Sequence, residues 1–325
     1  TFVFEAESAP IPRIVRNASR KAQGAYYTPE RVVRRIADET LGHVLAEVKG
    51  TEEAGRVFVL DMACGSGAFL LVAAEMLKKV HLAQGASPEE AAARAAGQVF
   101  GVEVSPEAAE MTRLAFDFAG MPRPRIVEAD ALGLSRKQWF ELFPEVFDTD
   151  RPAFSVVLGN PPYVAATRLD AATRRRLAGS FEAYAGHGDL HYCFFELGLN
   201  LLRRGGMLGL LSSSYYMQAS HARRLRRLIT QTATVVKLID CSDRALFPDA
   251  MVHCAITILR KERPAEGCSV LVERAGEESF RLPQKRLGEG PWVMIPDAEM
   301  AWRARLERDS VPLGQLCLIV QGPES

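Results

Sequence analysis

The chain has 325 residues, 48% of them hydrophobic and 25% charged, and its 40 basic and 40 acidic residues cancel to a formal net charge of zero at pH 7. A chain of this length and composition forms one large globular domain, or one domain with an appendage, and has an ample core. Zero net charge argues against a stand-alone nucleic-acid binder, and no run approaches the roughly 18 apolar residues of a membrane span.

Alternating strands and helices are predicted from about residue 28 to residue 260. The first helix is expected to have Thr28 as its N-cap and Pro29 as its first residue. Seven apolar runs predict strands, at 57–61, 99–104, 125–130, 154–159, 207–212, 235–239 and 254–259. Helical patterns separate most of these runs, which predicts an α/β fold with a mostly parallel sheet. The last two runs leave no room for a helix between them, so the seventh strand should run antiparallel.

The pattern changes after about residue 262, where proline, glycine and charged residues become frequent. One strand-like run at 270–272 and one helix-like run at 298–308 remain. We therefore expect three parts: a polar, irregular N-terminal extension (1–23), a main domain (24–262), and a connector that leads into a further, mostly absent domain (263–325).

The cysteines and histidines show no metal-binding pattern. The six cysteines are scattered without a Cys-x-x-Cys pair, and the six histidines lack ligand spacing, with His187 and His191 four apart but without a third ligand. We expect buried free thiols in a reducing cytoplasm and no metal. Two arginine clusters, 174–176 and 223–227, could lie along a phosphate backbone, although each could equally be a solvated helix face.

A glycine-rich turn follows the first predicted strand, in the run Asp61-Met62-Ala63-Cys64-Gly65-Ser66-Gly67. Its two spaced glycines allow the backbone to approach a ligand closely, but they are not the dinucleotide fingerprint Gly-x-Gly-x-x-Gly. The acidic Asp61 disfavours a phosphate and favours a cation. The positive sulfonium and ammonium groups of S-adenosylmethionine fit that sign.

Three acidic residues, Asp61, Glu103 and Asp130, end three successive predicted strands. The carboxyl ends of parallel strands meet at one edge of the sheet, where ligands bind. Glu103 could accept hydrogen bonds from both ribose hydroxyls, and Asp130 could accept one from the adenine amino group of the cofactor. The alternative for each acid taken singly is a helix N-cap.

The tetrapeptide Asn160-Pro161-Pro162-Tyr163 ends the fourth predicted strand. A planar exocyclic amine is a poor nucleophile because its lone pair is delocalised. The side-chain oxygen of Asn160 and the carbonyl of Pro161 could each accept one N–H of that amine and localise the lone pair. Pro161 and Pro162 fix the backbone and remove competing donors. Tyr163 supplies a ring on which a base can stack.

These motifs, in this order, resemble the γ-class DNA methyltransferases that modify adenine N6, and among them the Eco-type IIG restriction-methylases. The resemblance covers residues 24 to about 260. It implies a Rossmann-like, class I S-adenosylmethionine-dependent methyltransferase fold for 24–262, with seven strands and an antiparallel last strand. The tetrapeptide matches the adenine form of the catalytic motif, because cytosine-N4 relatives usually have serine in place of Asn160.

The resemblance also implies roles for individual residues. The segment Gly24-Ala25-Tyr26-Tyr27-Thr28-Pro29 is similar to the motif that closes over the cofactor carboxylate, which assigns Tyr27 and Thr28 to the cofactor. The main cofactor motif would comprise Asp61, Ala63, Gly65 and Gly67. Val104, beside Glu103, would lie against the cofactor ring. Phe247, in Leu246-Phe247-Pro248, would cover the second face of the target base.

Family members act on a base flipped out of double-stranded DNA. The resemblance therefore implies a separate target-recognition domain and a role in restriction-modification or phage defence. No paired acids with a nearby lysine indicate a nuclease within this chain. Two alternatives remain open. The same tetrapeptide occurs in enzymes that methylate a glutamine amide of translation factors or bases of ribosomal RNA. A non-catalytic, methylase-like module is the second alternative, against which the intact motifs argue.

Overall fold

The computed structural model describes residues 2–5, 13–16, 28–147, 153–241, 253–274, 277–308, 310–311 and 313–317. Near the N-terminus, strands β1 (Phe2–Glu5) and β2 (Arg13–Arg16) pair antiparallel, with Phe2 opposite Arg16. The polar composition of the N-terminal extension had suggested an irregular segment, but part of it forms these two strands. Within the described ranges, no helix has the length and apolarity needed to span a bilayer.

Nine further strands form one mixed sheet. Their bounds are β3 Val59–Asp61, β4 Val99–Glu103, β5 Arg125–Glu128, β6 Phe154–Gly159, β7 Leu202–Ser213, β8 Thr234–Asp240, β9 Cys254–Arg260, β10 Ser269–Glu273 and β11 Phe280–Pro283. The order across the sheet is β5-β4-β3-β6-β7-β9-β8-β10-β11. Strand β9 is antiparallel to both of its neighbours, β7 and β8, and β11 is antiparallel to β10. The other neighbouring strands pair in parallel.

The helices lie mainly between these strands. Their bounds are α1 Glu30–Ala37, α2 His43–Glu47, α3 Thr51–Gly55, α4 Ala68–Ala83, α5 Pro88–Ala96, α6 Pro106–Phe118, α7 Arg136–Leu142, α8 Pro144–Phe147, α9 Ala171–Ser180, α10 His191–Leu201, α11 Arg223–Thr232, α12 Asp297–Arg308 and α13 Leu313–Leu316. A π-helical turn, Asp38–Gly42, joins α1 to α2.

The central strands are mostly apolar because the sheet is covered on both faces. Every residue of β3, β4 and β6 is buried. Successive side chains of β6 point to opposite faces of the sheet. Val157 packs in one cluster with Phe100 and Tyr192, whereas Val156 and Leu158 pack in the other. The sheet therefore separates two hydrophobic cores, one on each face.

The seven predicted strands are present as β3 to β9, and the seventh is antiparallel as expected. The sheet nevertheless continues beyond residue 262, because β10 adds in parallel to β8 and β11 follows it. The predicted start of the first helix was wrong. Pro29 is the N-cap of α1, and Thr28 makes no capping hydrogen bond, since its hydroxyl contacts Asn160 instead.

Residues beyond β11 also pack on this domain. Trp292 is fully buried, and its backbone N–H donates to the carbonyl of Met217 at 2.8 Å. The guanidinium of Arg226, itself 1% exposed, donates to the carbonyls of Tyr216 at 2.7 Å and of Glu289 at 3.0 Å. A buried guanidinium is costly unless its donors are satisfied, so these bonds hold the segment in one position.

Strands β3 and β6 lie side by side, although the chain leaves β3 toward β4 on one side and β6 toward β7 on the other. Such a reversal of strand order opens a crevice at the carboxyl ends of the two strands. Asp61 is the last residue of β3, and Asn160 directly follows β6. The fold therefore brings the glycine-rich turn and the tetrapeptide to the same crevice.

Candidate active site

The turn after β3 is shaped by glycines and held by a threonine from α6. Gly65 has φ +56° and Gly67 has φ +82°, conformations that favour glycine. A Cβ on Gly67 would lie 2.6 Å from Cγ2 of Thr112, so this position also lacks room for a side chain. The Thr112 hydroxyl donates to the carbonyl of Gly65 at 2.9 Å. The sequence analysis missed Thr112, because it lies in a helical pattern with no motif of its own.

Two carboxylates are buried beside this turn. Asp61 is 2% exposed and accepts a hydrogen bond from the Ala63 N–H at 3.1 Å. Glu103 is 9% exposed and accepts from the N–H groups of Gly65, at 2.8 Å, and Ser105, at 2.9 Å. Burial raises the pKa of Asp61 to about 7; the Ala63 N–H opposes this rise and the charge on Glu103 adds to it. Among the described residues, neither acid has a basic partner within ion-pair distance.

Val104 and Asp130 occupy different environments at the same sheet edge. Val104 is 71% exposed directly after β4, an unusual position for a large apolar side chain. Asp130 follows β5, where it accepts from the Leu132 N–H at 3.0 Å and pairs with Arg176 at 3.0 Å. Val104 thus presents an apolar surface beside Glu103. In this structure Asp130 is the N-cap of the 3₁₀-helix Ala131–Gly133 and pairs with Arg176. A helix N-cap was the alternative to a cofactor contact for this residue.

The Asn160 side chain is fixed at one end and unsatisfied at the other. Its Nδ2 donates to the hydroxyl of Thr28, which is 8% exposed, at 3.0 Å. Its Oδ1 is buried and has no hydrogen-bond partner among the described residues. Buried polar atoms are normally satisfied, so an orphaned acceptor at a strand end is a functional signal. The Asn160 Oδ1 is therefore an oriented acceptor that could take a hydrogen bond from a ligand.

The two motifs are in direct contact. A small recess at the point where strand order reverses is lined by Asp61, Met62, Ala63, Leu158, Gly159, Pro161, Phe194 and Leu210. A larger cavity lies near the end of β8 and is lined by none of the predicted site residues. The smaller recess is thus the one that joins the glycine-rich turn to the tetrapeptide.

Tyr163, the last residue of the tetrapeptide, is half-buried and packs against the hydrophobic cluster that contains Cys254, the first residue of β9. Its ring lies edge-on to His191, with 6.1 Å between ring centres. Burial raises the pKa of the Cys254 thiol to about 11, and a hydrogen bond with Tyr163 partly offsets this rise. The contact with Cys254 ties the tetrapeptide to β9. Tyr27 and Phe247, which were predicted to contact the cofactor and the target base, lie outside the described residues.

Most arginines of the two sequence clusters have protein partners. Arg176 pairs with Asp130, Arg227 with Glu182 and Arg223 with Glu289, while Arg226 is buried. Arg175 and Arg224 are exposed, and neither forms an ion pair with a described residue. These two guanidinium groups are therefore open to an anionic partner.

The thiols and the potential metal ligands are consistent with ordinary structural roles. All six cysteines are free, and four of them are buried: Cys64, Cys193, Cys241 and Cys254. In the described part of the chain, no three His, Cys, Asp or Glu residues are grouped as a metal site would require.

Comparison with known proteins shows what this arrangement is similar to. Residues 97–247 match the model of the Eco57I restriction-modification methylase family. The type II methyltransferase M.XhoI of Xanthomonas vasicola is 25% identical over 243 residues, which are 74% of this chain and 43% of M.XhoI. The chain thus spans less than half the length of this curated relative. The match confirms the resemblance to restriction-methylases.

Solved structures confirm the fold. The type IIG restriction endonuclease BpuSI shares 18% identity and a TM-score of 0.61, over 90% of this chain and 35% of that one. A protein of Listeria monocytogenes assigned to the class I S-adenosylmethionine-dependent methyltransferases shares 18% identity and a TM-score of 0.55, over 86% and 70% of the two chains. The sheet is therefore that of a class I S-adenosylmethionine-dependent methyltransferase.

This fold and the methylase family imply S-adenosylmethionine as the cofactor, and the residues present fit it. Asp61 and Glu103 place two acids without a basic partner where a cationic ligand would be stabilised. A Cβ on Gly65 would meet nothing within 4 Å, so the turn faces open space. Exposed Val104 provides an apolar contact for a flat ring.

Proposed function

We propose that this chain is the catalytic part of a DNA methyltransferase that modifies the N6 amine of adenine. The match of residues 97–247 to the Eco57I restriction-modification methylase family supports this proposal. We propose that the adenine is flipped out of double-stranded DNA and that the enzyme belongs to a restriction-modification or phage-defence system. The observation that carries the proposal is the buried Oδ1 of Asn160 beside the cofactor turn, which has no hydrogen-bond partner among the described residues.

The tetrapeptide would orient the target amine. Asn160 Oδ1 accepts one N–H and the carbonyl of Pro161 accepts the other, so the nitrogen lone pair turns out of the ring plane toward the cofactor side of the crevice. Thr28 holds the Asn160 amide from behind, at 3.0 Å. Acceptors that are fixed in advance cost little reorganisation when the amine becomes nucleophilic. The extra proton on the methylated nitrogen is then lost to solvent.

The cofactor would lie along the carboxyl ends of β3 and β4. S-adenosylmethionine, when bound, supplies an electrophilic methyl group. Asp61 would stabilise its positive charge, Glu103 its ribose hydroxyls, and Val104 one face of its ring. Gly65 and Gly67 would give the backbone close access to it, and we retain Ala63, Thr28 and Tyr27 as further contacts. Asp130 would have to exchange Arg176 for the adenine amino group.

The target base would be held between aromatic rings. We propose that Tyr163 stacks on one face of the flipped adenine and Phe247 on the other. Pro162 keeps Tyr163 at a fixed distance from Asn160, because its ring restricts the backbone between them. Stacking on an aromatic ring is worth about 1–3 kcal/mol per base, which is comparable with the cost of extruding one base.

The test is methylation sequencing of DNA from cells that express the whole protein, compared with Asn160→Ala and with Asn200→Ala, an exposed asparagine at the end of α10. We expect N6-methyladenine at one recurring sequence in wild type and in Asn200→Ala, and its loss in Asn160→Ala. Unmodified DNA, with cofactor binding intact, would reject the proposal. Methylated glutamine or ribosomal RNA in the same cells would then identify the substrate.

A further inference from the structure

A tyrosine at the end of β7 stands exposed beside the proposed target site. Strand β7 ends at Ser213, which pairs with Cys254 at the start of β9. The next residue, Ser214, donates its backbone N–H to the carbonyl of His253 at 2.8 Å. The short 3₁₀-helix Ser214–Met217 therefore begins from a position locked to β9.

The two tyrosines of this 3₁₀-helix have opposite environments. Tyr216 is fully buried, and its hydroxyl is hydrogen-bonded to Thr257 at 2.7 Å. Tyr215 is 56% exposed, and its ring meets the edge of His253 with 5.8 Å between ring centres and 81° between the planes. A single exposed tyrosine is ordinary on a protein surface. Tyr215 is distinguished by the His253 ring that supports it and by its connection to the tetrapeptide.

Tyr215 connects to the tetrapeptide by a short series of contacts. His253 precedes Cys254, and Tyr163 packs against the hydrophobic cluster to which Cys254 belongs. In addition, β7 runs parallel to β6, with Gly159 opposite Leu210, so both strands end at the same edge of the sheet. The Tyr215–His253 pair and Asn160 thus share the edge at which the target base would enter.

We propose that Tyr215, supported by His253, is a stacking platform for the DNA base next to the flipped adenine. This inference rests on the proposed function. Extruding one base removes a stacking partner from its neighbour, and an aromatic ring at the rim of the pocket can replace it. Stacking uses the flat face that every base has, so Tyr215 would support binding without reading sequence.

The experiment uses the whole protein and duplexes that carry 2-aminopurine beside the target adenine, once the methylation map has given the target sequence. When wild type or Tyr215→Phe binds, we expect the 2-aminopurine fluorescence to stay quenched, because the aromatic ring replaces the stacking partner that flipping removes. Tyr215→Ala should lose the quenching and raise the DNA Kd about tenfold, with cofactor affinity unchanged. Trp302→Ala, which removes an exposed tryptophan from α12, is the matched control and should behave as wild type.

Two results would overturn the inference, and they are distinguishable. If wild type methylates the duplex while Tyr215→Ala keeps the wild-type Kd and quenching, Tyr215 is not a platform, although the proposed function stands. If wild type neither binds nor methylates the duplex, the proposed function fails and the platform fails with it. If Tyr215→Phe binds the duplex as weakly as Tyr215→Ala does, that result would also count against stacking, because phenylalanine keeps the aromatic ring.

Discussion

The backbone of Gly159 packs directly against the carboxylate of Asp61. A Cβ on Gly159 would lie 2.6 Å from Oδ1 of Asp61, and its φ of +153° is one that other residues rarely adopt. Asn160 is the next residue. The acid proposed to attract the cofactor and the amide proposed to orient the substrate are thus separated by one glycine, so a change at this glycine should disturb both.

We expect Gly159→Ala to weaken cofactor binding and methylation together and to destabilise the fold by about 2 kcal/mol or more, because the added methyl group meets a buried carboxylate and the backbone becomes strained. Calorimetric titration and thermal unfolding would measure both effects. Gly179→Ala is the control: Gly179 lies in α9, and a Cβ there would meet nothing within 4 Å. Wild-type cofactor affinity in Gly159→Ala would contradict this prediction.

Replacing Thr28 should reduce turnover, because Thr28 fixes the orientation of the Asn160 amide. We expect Thr28→Val, which keeps the shape but removes the hydroxyl, to lower kcat about tenfold to a hundredfold, since Asn160 Nδ2 loses its partner and the amide can rotate. Thr28→Ser should retain most activity. Single-turnover kinetics at saturating cofactor would separate this effect from any loss of cofactor contacts. Equal single-turnover rates in wild type and Thr28→Val would show that the hydrogen bond does not matter.

Cofactor affinity should depend on pH through Asp61. Its pKa of about 7 means that much of the population is protonated below neutrality, whereas a cationic ligand favours the ionised form. We expect the Kd for S-adenosylmethionine to fall about tenfold between about pH 6 and pH 8. Asp61→Asn should bind weakly and without this dependence. An unchanged wild-type Kd over the same range would argue against Asp61 as the titrating group.

The same pKa has an opposite consequence for stability. The folded-state pKa of Asp61 lies above the ordinary aspartate value of 3.8, so between these two values the folded state binds more protons than the unfolded state. Stability from this group is therefore present at low pH and is lost as pH rises through about 7. We expect Asp61→Asn, which keeps an acceptor for Ala63, to be more stable than wild type at about pH 8, on the order of 2 kcal/mol. Urea unfolding at two pH values would test the sign.

Arg175 and Arg224 should contribute to DNA affinity without specifying sequence. Each phosphate contact changes the slope of log K against log salt by about 0.9, so each alanine variant should flatten the slope by about that amount if the residue contacts a phosphate. Arg123→Ala, which removes an exposed arginine paired with Asp117, is the control and should leave the slope unchanged. Fluorescence anisotropy at several salt concentrations would show whether the clusters are instead solvated helix faces.

The central sheet could be predicted from sequence because a parallel strand buried on both faces is an uninterrupted apolar run. The locations of Asp61, Glu103 and Asn160 followed from the same signal, since each ends such a run. The partners of these residues could not be predicted. Thr28 is 132 positions from Asn160, and Arg176 is 46 from Asp130, so only the folded chain brings them together. The roles of Tyr27 and Phe247 remain predictions.

The run at 270–272 was expected to be strand-like and is β10, but its place in the main sheet and the strand β11 were not predicted. Both strands are short, and β10 joins the sheet by pairing in parallel with β8. The side chain of Gln284 further ties this segment to the sheet: it accepts from the Val235 N–H at 2.8 Å and donates to the Ala233 carbonyl at 3.0 Å. Local pattern cannot reveal a strand whose stability comes from its neighbour.

The buried Trp292 therefore bears on how such enzymes could be recombined. A junction placed where the motifs end, near residue 262, would strip β10 from β8, leave the Val235 N–H without its acceptor, and remove the Glu289 carbonyl that accepts from Arg226. A graft that joins this catalytic domain to a foreign recognition module should instead keep the native chain through Trp292. The buried indole of Trp292, and not the end of the motifs, would then mark the earliest usable junction.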